Sequence, residues 1–349
     1  MRRMSFVQWM VVLALLASLV VPLSSAPTVS AQKPTPDPAN AERTLVWIPK
    51  TTNSTFWLAV LDGAKTAAKE LGYKDVLYKG TPSQTDIAGQ VNLVNDMVNR
   101  KVAGIMMAAT DAKALVPPAE AAIAAGVPVV MLDSGIDSDK PYAYIATDNI
   151  AAAQTAAEVL SKLIGGKGIV GDIGITAGSQ TGREREEGFV NQLKEKYPDI
   201  KVVPVQYTGC DPAKSLNIAS DMLTGNPELV GFYGACDGPG TGIAQLIKQR
   251  GLKDKIKSVS FDVSPDQFQL FLDGYLDALI VQDPYQMGYR GVFAMDQAIH
   301  GQAVTDKKVA IPAKVVTRDN MTQPEIYDLL ASYGDIKQIL DEKGIKKAQ

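Results

Sequence analysis

Carboxylate, guanidinium and aromatic side chains stand at several places in this 349-residue sequence where they could act together. Asp133 and Asp262 each end an apolar run, and Arg185 lies in the segment REREEGF. Phe56 and Trp57 are consecutive. Carboxylates accept hydrogen bonds, a guanidinium donates two of them in a fixed fork, and aromatic rings cover apolar C–H surface. This set of side chains is suited to binding a polar organic ligand.

The adjacent aromatic residues also allow a purely structural interpretation. Trp57 begins a series of apolar residues with helical spacing, which indicates a buried helix face. The series continues with Leu61, Ala64, Ala68 and Leu71. Phe56 lies one step round the helix, outside this series. The segment alone favours core packing over ligand contact, and Asn53 and Ser54 just before it are expected to cap the helix.

Each polar candidate has a structural alternative as well. Arg185, with its neighbour Glu184, is consistent with a solvated and charged helix face. Asp133 or Asp262 could cap the helix that follows it. Gln282 could serve only as a hydrogen-bonding residue at a hinge. The residue types alone leave these alternatives open.

Alternating strands and helices would position these side chains. From Thr44 onward, apolar runs such as TLVWIP, KDVLYK and VPVVMLD alternate with helical segments such as TFWLAVLDGAKTAAKEL and DIAGQVNLVNDMVNR. Strands that alternate with helices of this length indicate parallel sheets covered by helices on both faces. The alternation continues far enough to predict two doubly wound α/β domains.

The residues just past the predicted strand ends are the candidates for a site, because ligands of open parallel sheets bind beyond the carboxyl ends of the strands. These positions are 50–57, 133–134, 147–149, 236–237, Asp262 and 282–283. Several of them are carboxylates or amides. The site is therefore expected to take a polar ligand.

The N-terminal segment has the order of a secretory signal peptide. Two arginines precede an apolar run at 10–23, and small residues follow up to Ala31. We expect a signal peptide over residues 1–31, cleaved after Ala31, with its retention as an N-terminal anchor as the alternative. Residues 32–43 are then a Pro-rich linker. The protein is expected in the periplasm or outside the cell.

The sequence contains two cysteines, Cys210 and Cys236. Export to an oxidising compartment permits a disulfide between them. Two buried free thiols are equally consistent with the sequence. A disulfide would close a loop of about 25 residues and stabilise the fold by about 3 kcal/mol in the chain-entropy model.

Catalytic and nucleic-acid-binding functions find little support. A net charge of −3 provides no large basic field for nucleic acid. No G-x-S-x-G or H-E-x-x-H motif is present. The segment GFYGACDGPGTGIAQ is similar to a dinucleotide fingerprint, but its glycines are spaced G-x-G-x-G and Pro239 lies within the predicted turn. A dinucleotide-dependent enzyme, or a glycosidase using Asp133 and Asp262, remains an alternative. No cofactor or metal is expected.

Six segments of the sequence, taken together in their order, are more specific to one protein family than any single segment is. They are TTNSTFWLAVLDGAK, AGVPVVMLDS, TDNIAAAQTAAEVL, GREREEGF, SVSFDVSPD and VQDPYQMG. Together they resemble the type I periplasmic binding proteins, specifically the ribose-binding-protein family of sugar ABC transporters. The resemblance covers about residues 44–320. It implies two Rossmann-like lobes joined by three hinge strands near Thr147, Gln282 and Ile311.

The resemblance implies a discontinuous domain organisation and a transport function. The N-terminal lobe would comprise 44–147 and 284–310, the C-terminal lobe 148–282 and 311–320, followed by a C-terminal extension at 321–349. The implied protein is an extracytoplasmic solute-binding protein of an ABC importer and not an enzyme. Its ligand would be a monosaccharide or related polyol, with a nucleoside, an inositol or a furanose signal as alternatives. Its partner would be the membrane permease, and a chemoreceptor remains a further option.

The resemblance also implies which side chains contact the ligand. They are Lys50, Phe56, Trp57, Asp133, Ser134, Arg185, Cys236, Asp262 and Gln282. Cys210 and Cys236 stand where the family often has an aromatic residue and an Asn. Lys50 and Ser134 replace a small polar residue and an Arg, and the loss of an aromatic and an Arg with the gain of a Lys weakens the case for ribose itself and leaves the sugar open. Because both cysteines fall at site positions, we expect them to lie close together and form a disulfide at the cleft wall.

Overall fold

The protein is described by a computed structural model over residues 35–304 and 306–349. The predicted signal peptide, residues 1–31, lies outside the described residues. Within them, no helix is both long enough and apolar enough to cross a membrane. The later part of the predicted linker packs against the fold, because Asn40 is buried and donates through Nδ2 to the Leu71 carbonyl at 2.9 Å.

Strands and helices alternate along the described chain. The strands are β1 (Thr44–Ile48), β2 (Asp75–Tyr78), β3 (Gly104–Met107), β4 (Val129–Leu132), β5 (Ala143–Thr147), β6 (Gly168–Gly174), β7 (Ile200–Val202), β8 (Gln206–Tyr207), β9 (Leu229–Gly234), β10 (Lys257–Phe261), β11 (Ala278–Val281), β12 (Lys308–Ile311) and β13 (Lys314–Val316). The helices are α1 (Thr55–Glu70), α2 (Ile87–Asn99), α3 (Val116–Ala124), α4 (Asn149–Leu163), α5 (Gln180–Lys196), α6 (Pro212–Gly225), α7 (Asp237–Arg250), α8 (Pro265–Leu272), α9 (Pro284–Ile299), α10 (Pro324–Ala331) and α11 (Gly334–Glu342).

The first sheet has the order β12-β5-β4-β3-β1-β2, and all of its strand pairs are parallel. Side chains of β1 alternate between its two faces. Leu45 and Trp47 pack in the core cluster that contains α1 and α9, whereas Val46 and Ile48 pack with α2 and α3. A strand that is apolar throughout needs helices on both faces, and this sheet has them. We call this sheet and its helices the first lobe.

The second sheet has the order β13-β11-β10-β9-β6-β7, with β8 also paired to β6. Its pairs are parallel except for β13, which runs antiparallel to β11. Helices α4 and α5 contribute to the core on one face, and α6 and α7 on the other. The predicted fold class, two doubly wound α/β lobes, is confirmed. We call this sheet and its helices the second lobe.

The chain passes between the two sheets three times, from β5 to α4, from β11 to α9 and from β12 to β13. The crossing segments lie side by side. Thr147 Oγ1 donates to Gln282 Oε1 at 2.6 Å, and the Asp148 amide donates to the Ile311 carbonyl at 3.1 Å. Three adjoining connections of this kind allow two lobes to hinge about a shared axis.

Pro204 lies between the short strands β7 and β8 and has no N–H to continue a ladder. One local prediction was wrong. The glycine-rich segment after β9 is not a turn, because α7 begins at Asp237 and includes it. Pro239 is tolerated there, since the first N–H groups of a helix have no partner within it. A Cβ at Gly242 would lie 2.6 Å from Ser215 Cβ, so this glycine allows two helices to approach closely.

The C-terminal extension, for which no structure was predicted, forms α10 and α11. Its apolar residues pack into the same core cluster as Phe268 and Phe271 of α8. They are Ile326, Leu330, Tyr333, Ile336 and Leu340. The buried Tyr333 hydroxyl donates to the Gln282 carbonyl at 3.0 Å. The extension therefore supports one of the three crossings.

Candidate ligand-binding site

A cavity lies between the lobes, at the carboxyl ends of both sheets. All but one of the predicted ligand-binding residues line it. These are Lys50, Phe56, Trp57, Asp133, Arg185, Cys236, Asp262 and Gln282. The structure thus brings together side chains from six separate parts of the chain.

Asp133 and Asp262 occupy corresponding places in the two lobes, just after β4 and β10. Both have left-handed backbone conformations, with φ of 59° and 69°. Asp tolerates this conformation better than most residues do. Neither residue caps the next helix, because Asp148 caps α4 and Ser264 caps α8. The capping alternative therefore does not apply.

Arg185 is 2% exposed, so it does not belong to a solvated helix face. Its Nε donates to Asn149 Oδ1 at 2.9 Å, and its Nη1 donates to the Ala235 carbonyl at 2.8 Å. The guanidinium lies 4.1 Å from the centre of the Phe261 ring, within cation–π range. Nη1 is 3.7 Å from Asp262 Oδ2. These contacts fix the orientation of a buried cation beside the cavity.

Gln282 connects the site to the hinge. Its Nε2 donates to Asp262 Oδ1, while its Oε1 accepts from Thr147. Burial raises the pKa of Asp262 above its usual range, and the nearby Arg185 and Gln282 act in the opposite direction by stabilising the carboxylate. Gln282 therefore combines the two roles that the sequence left as alternatives, hinge residue and cavity residue.

Lys50 is the cation of the first lobe. It is buried, and its Nζ is 3.6 Å from Asp133 Oδ2. Nζ also donates across the cleft to Ser179 Oγ at 3.1 Å. Burial lowers the pKa of Lys50, and the attraction of Asp133 opposes that shift. Each lobe thus brings one buried cation–anion pair to the cavity, Lys50–Asp133 from the first and Arg185–Asp262 from the second.

Phe56 and Trp57 stand at the start of α1 and both line the cavity. Their ring centres are 4.7 Å apart and nearly perpendicular, with Trp57 also packed against Trp47 at 5.9 Å. Both side chains are buried in the core of the first lobe as well. The predicted helix face that begins at Trp57 is confirmed as buried. The aromatic pair serves packing and cavity lining together.

Cys210 and Cys236 are joined as a disulfide with Cα atoms 6.1 Å apart, and both line the cavity. Cys210 follows β8 with a left-handed φ of 58°, and Cys236 directly precedes α7. The two sulfurs and a carboxylate oxygen of Asp237 lie within 4.8 Å of one another. Metals are bound by thiolates, and the disulfide leaves none in this group.

Ser134 is the predicted residue that does not line the cavity. It is fully buried, and among the described residues its Oγ has no hydrogen-bond partner. Its carbonyl accepts from the Ala109 amide at 2.9 Å, which holds it against the end of β3. The Arg that the family often carries here has no counterpart in this cavity, where Lys50 supplies the first-lobe cation instead.

Five further cavity residues were not predicted to bind ligand. They are Ser54, Gln84, Ile175, Thr181 and Asp237. Ser54 and Asp237 lie within the strand-end positions and could have been found from that rule. Gln84 and Thr181 come from a loop and a helix start whose placement the strand pattern does not determine. Burial, reinforced by the charge of Asp262, raises the pKa of Asp237 to about 7.

The two lobes contact each other across the cleft. Thr181 Oγ1 donates to the Asp133 carbonyl at 3.1 Å, and the Ala112 amide donates to the Gly178 carbonyl at 3.0 Å. With the Lys50–Ser179 bond, these contacts hold the cavity residues away from bulk water. The structure therefore represents a closed arrangement of the lobes.

Two doubly wound lobes, three adjoining crossings and a charged cavity between the strand ends define a hinged solute-binding protein. The sequence family described as periplasmic binding protein domain matches residues 45–303. The chain belongs to this family, whose type I members have this fold.

Two transport-related proteins are similar to this chain over most of its length. Over 303 residues, the chain is 29% identical to the ribose import binding protein RbsB of Escherichia coli (strain K12), covering 87% of this chain and 98% of that protein. It is 29% identical over 284 residues to the D-allose-binding periplasmic protein of the same organism, covering 78% and 90% of the two chains.

Solved structures show the same architecture. A carbohydrate transporter solute binding protein from Agrobacterium radiobacter, in complex with D-arabinose, has a TM-score of 0.78 and 35% identity, covering 83% of this chain and 99% of that chain. An ABC transporter solute binding protein from Agrobacterium vitis, with bound D-fucose, has a TM-score of 0.78 and 34% identity, covering 82% and 99%.

Proposed function

We propose that this chain is the exported solute-binding component of an ABC importer and binds a monosaccharide or related polyol between its lobes. The observation that carries the proposal is the pair of buried ion pairs, Lys50–Asp133 and Arg185–Asp262, at one cavity. Sugar hydroxyls both donate and accept, so they can bridge groups of either charge. The relatives named for ribose and allose, and the structures holding D-arabinose and D-fucose, support a sugar ligand.

Ligand binding would favour closure of the lobes because the two ion pairs belong to different lobes. A sugar that contacts both pairs binds the closed state more tightly than the open state. Only this difference in affinity can shift the equilibrium between the states. Phe56 and Trp57 would cover an apolar C–H face of the ring. Gln282 would link the occupied site to the crossing at Thr147.

The partner in this proposal is the membrane permease of the importer, which recognises the closed lobes. The chain itself binds its ligand and releases it unchanged. The family and its relatives support export to the periplasm. A chemoreceptor that recognises the closed form is a second partner in this proposal.

Calorimetry of the purified protein against pentoses, hexoses, inositols and nucleosides tests the proposal. We expect heat of binding with one or a few sugars or polyols, and native mass spectrometry of protein as purified should show the same mass in the pocket. Heat with a nucleoside alone would reassign the ligand. No heat with any sugar or polyol would contradict the proposal.

A further inference from the structure

The C-terminal extension follows β13, the strand to which the third crossing leads, and its start is fastened to the second lobe. Asn320 closes the turn after β13, because its Oδ1 accepts from the Thr317 amide at 2.8 Å. Within that turn, Arg318 Nη1 donates to the Phe271 and Leu276 carbonyls at 3.0 and 2.6 Å, at the end of α8 and just beyond it. These bonds make the extension part of the second lobe.

Tyr333 lies between α10 and α11 and reaches back to the second crossing. Its side chain is buried in the core cluster that includes Phe268 of α8 and Val281 of β11. Its hydroxyl donates to the Gln282 carbonyl at 3.0 Å. Burial raises the pKa of Tyr333 well above its usual range, and the charge of Asp262 adds to the shift. The hydroxyl therefore stays protonated and remains a donor throughout the neutral range.

The bond from Tyr333 falls where regular structure does not hold the backbone. On β11, Val281 is the last residue paired with β13, and α9 begins only at Pro284. Gln282 lies between these two elements, beyond the ladder of the sheet and before the first turn of the helix. The Tyr333 hydroxyl supplies a fixed point for the main chain at this place.

The Gln282 side chain depends on that fixed point because it serves two partners at once. Its Nε2 donates to Asp262 Oδ1, and its Oε1 accepts from Thr147 Oγ1 at 2.6 Å. The donor and the acceptor of an amide group lie on opposite sides of one rigid plane, so a single orientation has to satisfy both bonds. A shift of the Gln282 backbone would therefore disturb the partner of the Asp262 carboxylate.

We infer that Tyr333 is a positioning residue for ligand binding, which sets the backbone of Gln282 so that the Gln282 side chain orients the Asp262 carboxylate toward the ligand. The inference rests on the proposed sugar-binding function, in which Asp262 accepts hydrogen bonds from the ligand. Tyr333 lies outside the wall of the cavity, so its effect passes through Gln282. The extension thereby contributes to the affinity of a site that it does not touch.

Calorimetry of the purified protein tests the inference with the pentose, hexose or inositol that binds the unmodified protein most tightly. Tyr333→Phe keeps the ring in the core and removes the hydroxyl. We expect this change to weaken binding about fivefold to tenfold, the scale for losing one buried hydrogen bond. Tyr327→Phe, at a partly buried tyrosine of α10 in the same extension, is the matched control and should bind within about twofold of the unmodified protein.

The variant Gln282→Met tests whether the effect passes through the Gln282 side chain. Met has no group that can replace the amide in bonding Asp262 and Thr147, whereas its main chain keeps the carbonyl that Tyr333 contacts. Although Gln282→Met itself weakens binding, adding Tyr333→Phe to it should cost less than about a further twofold. A merely structural role for Tyr333 would give the same fold loss with Gln282 or Met at this position.

Two results would overturn the inference while leaving sugar binding intact. One is a Tyr333→Phe variant that binds as tightly as the unmodified protein. The other is an equal fold loss from Tyr333→Phe with and without Gln282→Met. If no pentose, hexose or inositol binds the unmodified protein, the proposed function fails and the inference fails with it.

Discussion

Asp262 and Asp172 are both buried carboxylates of the second sheet, and they differ in what surrounds them. Asp262 accepts from Gln282 and faces Arg185 beside the cavity. Asp172, on β6, is fully buried, and within the described chain neither of its oxygens has a hydrogen-bond partner. Burial raises the pKa of Asp172 well above its usual range, and Glu186 adds to the shift.

The difference shows that burial of an acid does not by itself mark a ligand site. At Asp262 the fold supplies a cation and a hydrogen-bond donor, which stabilise the carboxylate against protonation. The carboxylate can still accept further hydrogen bonds from a ligand. At Asp172 the fold supplies neither, so the neutral form is favoured. The four changes below test this comparison, beginning with the largest expected effect.

Arg185→Met should lower the free energy of unfolding by about 3–5 kcal/mol, because it leaves Asp262 buried without its cation. The change makes the surroundings of Asp262 similar to those of Asp172. Urea unfolding measures the effect. Arg183→Met is the matched control, since Arg183 lies on the same helix, is 43% exposed, and should change stability by about 0–1 kcal/mol. Equal losses in the two variants would contradict the structural role of the buried pair.

Asp262→Ala should leave the chain folded and weaken sugar binding by about 2–4 kcal/mol, the scale for losing a charged member of a buried network. Calorimetry with the sugar identified for the unmodified protein measures this change. Asp266→Ala, an exposed acid in the first turn of α8, is the control and should bind normally. Unchanged affinity in Asp262→Ala would show that this carboxylate does not contact the ligand.

Asp172→Asn should raise the free energy of unfolding at pH 8 by about 1–3 kcal/mol and change it little at pH 4. The folded pKa of Asp172 is raised, so below the unfolded pKa the acid is protonated in both states and adds no pH dependence. As pH rises above that value, the unfolded state releases a proton that the folded state keeps, and stability falls. Urea unfolding at both pH values should show the gain only at the higher one, and a gain that is independent of pH would contradict this account.

Glu325→Ala should change stability least, by about 0–1 kcal/mol. Its carboxylate is 2.9 Å from Lys314 Nζ, but the two side chains are 42% and 66% exposed. Water screens this pair, whereas the pair at Arg185 is excluded from water. A thermal unfolding scan at low and high salt measures this change in stability. A loss comparable to that of Arg185→Met would remove the distinction between buried and exposed pairs.

The fold was predictable because its pattern is repeated and local. Strands such as β1 and β4 are apolar on both faces, and helices such as α1 carry an apolar stripe, so the periodicity itself specifies the layers. The rule that ligands lie beyond strand ends then made Asp133 and Asp262 candidates for the site, and the family resemblance supplied the expectation that the two lobes face each other. That rule depends only on the parallel direction of the strands.

The remaining features depend on contacts that no local pattern encodes. Thr181 reaches the cavity because the lobes close, and Ser134 misses it because its backbone is bonded to the end of β3. The start of α7 was misjudged because Pro239 signals a turn in isolation but is tolerated in the first turn of a helix. The sequence could not show that Asp172 lacks a hydrogen-bond partner within the described chain. An acid within an apolar strand gives no indication of which side chains surround it.

A crystal structure of the protein with the best sugar from calorimetry tests the central claim most directly. The account predicts ring hydroxyls within about 2.6–3.2 Å of the Asp133 and Asp262 carboxylates, with Lys50 and Arg185 as donors from opposite sides. A sugar bound elsewhere, or one that fills the cavity without contacting these four side chains, would contradict it.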